Sequence, residues 1–191
     1  MNDRPHANTQ DALRAAAQRF DFVLVPGRFN SGVNHWQSIW ERELPIWKRV
    51  TQSNWNDPDT QRLNGSLRRL LAQCSRPAFL VGHSLGALAS TCLAVELPGK
   101  VAGVMLVAPA EPAMFHAEDD VPVSELGVPS MLVASRNDPF MSFARAEYWA
   151  GVWRSDIIDL GEAGHINVDS GFGQWSFGLE VLCNLVEKVG Q

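Results

Sequence analysis

Five short apolar runs recur along the chain: Phe22 to Val25, Ala78 to Val81, Val101 to Val107, Val128 to Val133 and Ile157 to Leu160. They are nearly continuous rather than alternating, the pattern of strands covered on both faces, and so predict a parallel sheet sandwiched between helices. Arg49 to Gln52 is a weaker sixth candidate, suited to a sheet edge. Between the runs, His35 to Leu44, Asp59 to Cys74, Leu85 to Leu97, Phe143 to Val152 and Gln174 to Lys188 place apolar residues three and four apart, as in Leu67, Leu70, Leu71 and Cys74. That spacing predicts helices with one buried stripe. Pro45 and the Pro98-Gly99 pair punctuate helix ends. Alternating strands and helices imply an α/β domain with right-handed crossovers. No internal repeat or linker interrupts it, so residues 20–191 are expected to form one domain, preceded by a polar, partly helical segment over residues 1–19.

Composition narrows the partners. The 191 residues are 46% hydrophobic and 19% charged, which suits a compact core. Sixteen basic against 21 acidic side chains leave a net charge of −5, unsuited to neutralising nucleic-acid phosphates. The longest apolar run is far short of the ~20 residues a membrane span needs. Cys74, Cys92 and Cys183 have no paired spacing, so neither a disulfide framework nor a zinc site is indicated. With a polar N-terminus, the expectation is a cytoplasmic protein holding reduced thiols.

In this kind of fold, chemistry gathers just beyond the carboxyl ends of the strands. Gly82-His83-Ser84-Leu85-Gly86 follows the second run and precedes a segment of small apolar residues. A G-x-S-x-G sequence in that position predicts a sharp strand-to-helix turn that lifts the serine above the sheet, with glycines where a β-carbon would collide. The alternative is that Ser84 merely caps the helix. A nucleophilic serine needs an imidazole to take its proton and a carboxylate to orient that imidazole, in the chain order serine, acid, histidine. His165 directly follows the last run, whereas His116 falls in an irregular stretch before the candidate acid. Asp138, in Ser135 to Phe140, follows the fourth run and precedes Pro139, which keeps it out of a helix. Glu162, Asp156 and Asp159 are the other carboxylates considered, and none follows a separate strand. The expected triad is Ser84, Asp138 and His165.

Acyl transfer also calls for two backbone N–H donors facing the developing oxyanion. Leu85 is one. The other is placed at Arg28 in the loop after the first run, where Gly27 allows close approach; Phe29 is the alternative. Phe29, Trp55 and Phe172 are expected to line the pocket, while Trp36, Trp40 and Trp47 read as helix-face packing.

Together, the stretches Val25 to Pro45, Asn54 to Asp59, Leu80 to Leu88, Ser135 to Phe140 and Gly161 to Trp175 resemble the small serine-hydrolase family that includes retinoblastoma-binding-protein-9-like and YdeN-like proteins. The resemblance implies a minimal α/β-hydrolase without a large lid, its six parallel strands in the order 2-1-3-4-5-6. It carries nucleophile, acid and base onto Ser84, Asp138 and His165, and makes His35-Trp36 structural. Where some relatives have glycines after the first strand, this chain has the bulkier Arg28-Phe29-Asn30. The expected activity is hydrolysis of carboxylic esters with small acyl groups, without metal or organic cofactor. Thioesterase, amidase or acyltransferase chemistry would use the same residues, and a protein-binding module on a hydrolase scaffold is the reading from another class.

Overall fold

A computed structural model describes residues 7–57 and 59–189. The first six residues of the polar N-terminus, Pro58 and residues 190–191 lie outside the described residues. Six strands, β1 (Asp21–Val25), β2 (Trp47–Arg49), β3 (Ala78–His83), β4 (Val101–Val107), β5 (Ser130–Ala134) and β6 (Asp156–Asp159), pair in parallel in the order β2-β1-β3-β4-β5-β6. The helices are α1 (Ala7–Ala16), α2 (Trp36–Glu43), α3 (Thr60–Gln73), α4 (Leu85–Glu96), α5 (Phe143–Trp153) and α6 (Ser176–Val189). This is the minimal α/β-hydrolase arrangement, and among the described residues no large lid covers the sheet.

The strands build two apolar layers because successive side chains point to opposite faces. Val23 and Val25 of β1 join Leu80, Val104, Leu106 and Leu132 on one face, where α3, α4 and α5 pack through Leu67, Leu88 and Trp149. Phe22 and Leu24 join Phe79, Val81, Met105 and Val133 on the other, under Leu13 of α1, Trp36 and Trp40 of α2 and Leu182 of α6. The polar N-terminal segment therefore supplies Leu13, fully buried, to the same layer as the strands.

Two strands depart from the expected pattern. β2 begins two residues before the weak run, at Trp47, so Trp47 belongs to a strand rather than to the helix face. The cause is cross-strand packing: Trp47 pairs in register with Phe22, their rings 5.7 Å apart edge to face. β6 is covered on one side only, and Ile157 is exposed. As an edge strand it places Asp159 against Arg136 and Asp156 against Lys188 instead of burying a continuous apolar run.

Each reactive candidate thus sits at the carboxyl edge of the sheet, after β3, β5 or β6. The loop after β1 closes the same edge.

Candidate active site

The β3–α4 turn is built by close backbone approach. A β-carbon on Gly82 would fall 2.6 Å from Ala87 Cα, and one on Gly86 would fall 2.6 Å from Pro26 O and overlap Val25 O. Only glycine lets α4 start directly against β3 and β1. The turn forces Ser84 to φ 56° and ψ −121°, a strained conformation for a residue with a side chain, costing of order 1–3 kcal/mol. Although Ser84 occupies the cap position of α4, its side chain makes no capping hydrogen bond. Its hydroxyl is left facing a cavity of about 410 Å³ that also exposes His165, His83, His35, Phe29, Phe115 and Phe140.

His165 Nδ1 lies 3.0 Å from both oxygens of Asp138. A carboxylate can only accept, so Nδ1 carries the hydrogen, and in the neutral imidazole the lone pair is on Nε2. Both side chains are almost fully buried. Asp138 Oδ1 also accepts the N–H of Phe140, whose ring stands 4.4 Å from the imidazole. Ser84 and His165 share the cavity without a hydrogen bond between them. Such contacts commonly tighten only around bound substrate.

The adjacent His83 also lines the cavity but is committed to the backbone. Its Nε2–H donates to the carbonyl of His165 at 2.9 Å, and burial, followed by the neighbouring His165 and His35, drives its pKa well below the ordinary histidine value. His35 is also kept neutral: burial, with Arg49 and His165 nearby, pushes its pKa down to about 4. That fits its job, since Nδ1 accepts the Gln37 N–H and caps α2. Trp36 Nε1–H donates to Ile166 O, tying α2 to the loop that carries His165.

Among the backbone donors, no described residue accepts the N–H of Leu85 or Arg28. The N–H of Phe29 is committed to Trp55 O at 2.9 Å, which removes Phe29 as an oxyanion donor. The loop after β1 is held by Gln37, which was not singled out in the sequence. Its Nε2–H₂ donates to Val81 O and Val25 O, and its Oε1 accepts from Ser31 Oγ. The available signal was a glutamine on the otherwise apolar inner face of α2. Arg49 adds a second tie, reaching Ser31 O and Asn30 Oδ1.

Of the expected pocket residues, Phe29 lines the cavity and Trp55 and Phe172 do not. The Trp55 ring packs against the α3–α4 layer, and Phe172 lies edge-on to Trp175 in the other layer. Each is drawn into apolar packing where it excludes more water. Phe115 and Phe140 provide the aromatic walls instead. His116 and Glu162 are exposed, outside the cavity lining. Among the described residues, no cluster of three or more His, Cys, Asp or Glu could hold a metal ion, and no helix is long and apolar enough to cross a membrane.

Comparison with known proteins follows the same lines. The serine hydrolase family matches residues 22–184. A YdeN-like hydrolase of Pectobacterium atrosepticum superposes with a TM-score of 0.93 at 45% identity, covering 96% of this chain and 99% of that one. The ydeN gene product of B. subtilis gives 0.74 at 19% identity over 88% and 99%, and the esterase domain of a Rhodothermus marinus protein gives 0.69 at 20% over 89% and 88%; both share the fold. A search of curated proteins returns no match. With a family match over most of its length and a 45% identical hydrolase of the same fold, the chain belongs to the serine hydrolase family of the α/β-hydrolase superfamily and is an enzyme of that type.

Proposed function

We propose that this serine hydrolase cleaves carboxylic esters with small acyl groups, using Ser84 as nucleophile, His165 as general base and acid, and Asp138 as the orienting carboxylate. Ser84 Oγ attacks the ester carbonyl while its proton passes to His165 Nε2. The N–H groups of Leu85 and Arg28 receive the oxyanion. The tetrahedral intermediate collapses, the C–O bond to the alcohol breaks, and His165 returns the proton to the departing oxygen. Water, activated by the same imidazole, then releases the acid and restores Ser84.

The observation that carries this reading is the pairing of His165 Nδ1 with Asp138 beside a serine whose strained backbone serves no capping purpose. The small-acyl preference is supported by the cavity, in which Arg28, Phe29 and Asn30 occupy the wall near Ser84. Ser84→Ala is expected to abolish labelling by a fluorophosphonate probe and to lower p-nitrophenyl acetate hydrolysis ~10³-fold or more. Undiminished turnover in that variant overturns the assignment. A panel of esters, thioesters and amides of increasing acyl length sorts the bond and chain preference, with short esters expected to turn over fastest.

A further inference from the structure

Asp138 and His165 sit on different loops, one after β5 and the other after β6, so their 3.0 Å contact depends on how those loops are joined. Three consecutive backbone N–H groups leading into the imidazole are each held by a side-chain oxygen. Ala163 N–H donates to Ser135 Oγ at 2.9 Å, Gly164 N–H to Asn137 Oδ1 at 2.7 Å, and His165 N–H to Ser170 Oγ at 3.1 Å. The first two acceptors belong to the loop of the acid. Asn137 is the immediate neighbour of Asp138, and its Oδ1 also accepts from Ser135 Oγ at 2.8 Å. A backbone N–H can only donate, so the oxygen of the amide, and not its nitrogen, must face Gly164.

Gly164 itself has φ +57°, and a β-carbon there would fall 2.9 Å from Ser170 Cβ. The two peptide planes leading into His165 are therefore each held, the Ala163–Gly164 plane by Asn137 and the Gly164–His165 plane by Ser170.

We infer that Asn137 is a positioning residue of this enzyme: its side-chain oxygen clamps the His165 loop onto the Asp138 loop and so sets the imidazole–carboxylate alignment. The inference rests on the triad proposed above. It needs an acceptor at Oδ1 and makes no use of the amide nitrogen, which separates it from a generic surface contact. Asn137 is exposed, and Ser135 Oγ keeps a second acceptor in Gly161 O at 3.3 Å, so the residue can be changed without stranding a group in the core.

Steady-state hydrolysis of p-nitrophenyl acetate by Asn137→Ala, Asn137→Asp and Ser84→Ala, with thermal melts of each, tests it. Asn137→Ala should lose roughly 10–100-fold in kcat with KM nearly unchanged, because misplacement of the base affects the transition state more than binding. Asn137→Asp keeps the acceptor and should recover most of that loss. An Asn137→Ala enzyme with parental kcat, a loss shared equally by KM, or an Asp variant no better than the Ala one overturns the inference. Should Asn137→Ala fail to fold, the same comparison is read from Asn137→Ser, whose shorter side chain cannot span both partners. Ser84→Ala separates the two levels: its retained activity sinks the hydrolytic assignment, whereas its inactivity beside a fully active Asn137→Ala sinks the positioning role alone.

Discussion

Gly27 comes so near Ser84 that an added β-carbon would stand 2.8 Å from Ser84 Cβ and 3.0 Å from His83 O. Its place in the sequence suggested only a close backbone approach; the structure identifies the nucleophile candidate as what is approached. Gly27→Ala must push either Ser84 or the loop bearing Arg28, the two parts that an oxyanion would bridge. Its expected effect is a loss of roughly 10–100-fold in kcat with the fold retained, read by p-nitrophenyl ester kinetics beside circular dichroism. Gly86→Ala differs, because the obstacle is the β1 backbone at Val25 and Pro26, which has no side-chain freedom with which to yield. That variant should lose thermal stability sharply, and a melting temperature equal to the parent's would contradict the close-approach account. At this scale the motif glycines and the three side chains of the proposed triad could be picked out because each obeys a local rule. Trp55 and Phe172 were not, since which aromatic ring reaches a cavity depends on competition for packing sites far apart in the chain.

Among the elements, α2 does more than cover the sheet. Its first turn places Trp36 between the rings of His35, Trp40, His83 and Trp175 and sends its indole N–H to Ile166 O. Ile166 has φ 49°, a costly conformation for a β-branched residue, so the loop after His165 needs this external support. Trp36→Phe retains an aromatic ring but leaves that carbonyl without its donor, a penalty of about 1–3 kcal/mol. The expected result is a melting point lower by several degrees, accompanied by a reduced kcat as the His165 loop loosens. A drop in stability with unchanged kcat would confine Trp36 to packing. The order of strands and helices was readable from the apolar runs, since parallel central strands must be buried on both faces. The edge strands were less so: β2 and β6 are three and four residues long, and their side chains answer to neighbours such as Phe22, Arg136 and Lys188 more than to their own hydrophobicity.

For the molecule as a whole, two of the buried histidines, His35 and His83, set how stability responds to acid. His35 and His83 are held neutral by burial, His35 with its pKa pushed down to about 4 and His83 well below the ordinary value. On unfolding both regain the ordinary affinity near pH 6.5, so below that pH the unfolded chain binds more protons than the folded one. Stability is then complete above about pH 6.5 and declines as pH falls toward 4, the His35 share amounting to about 3 kcal/mol at most. Asp21 acts at a lower pH. Burial alone would raise its pKa, but the Arg76 N–H and guanidinium and the Lys48 ammonium outweigh that and hold the carboxyl below its usual range. Its contribution is present above the ordinary aspartate value of 3.8 and is lost only as pH falls through the lower folded value. The melting temperature should therefore fall first between pH 6.5 and 4 through the histidines, and again below that through Asp21. His35→Asn isolates the His35 share of the first phase, because asparagine can still accept the Gln37 N–H at the start of α2 while having nothing to protonate. That variant should make the decline between pH 6.5 and 4 shallower, leaving the His83 share, and keep the loss below pH 4 in place. Parallel pH profiles for the variant and its parent would show that His35 is not among the groups linking folding to protons.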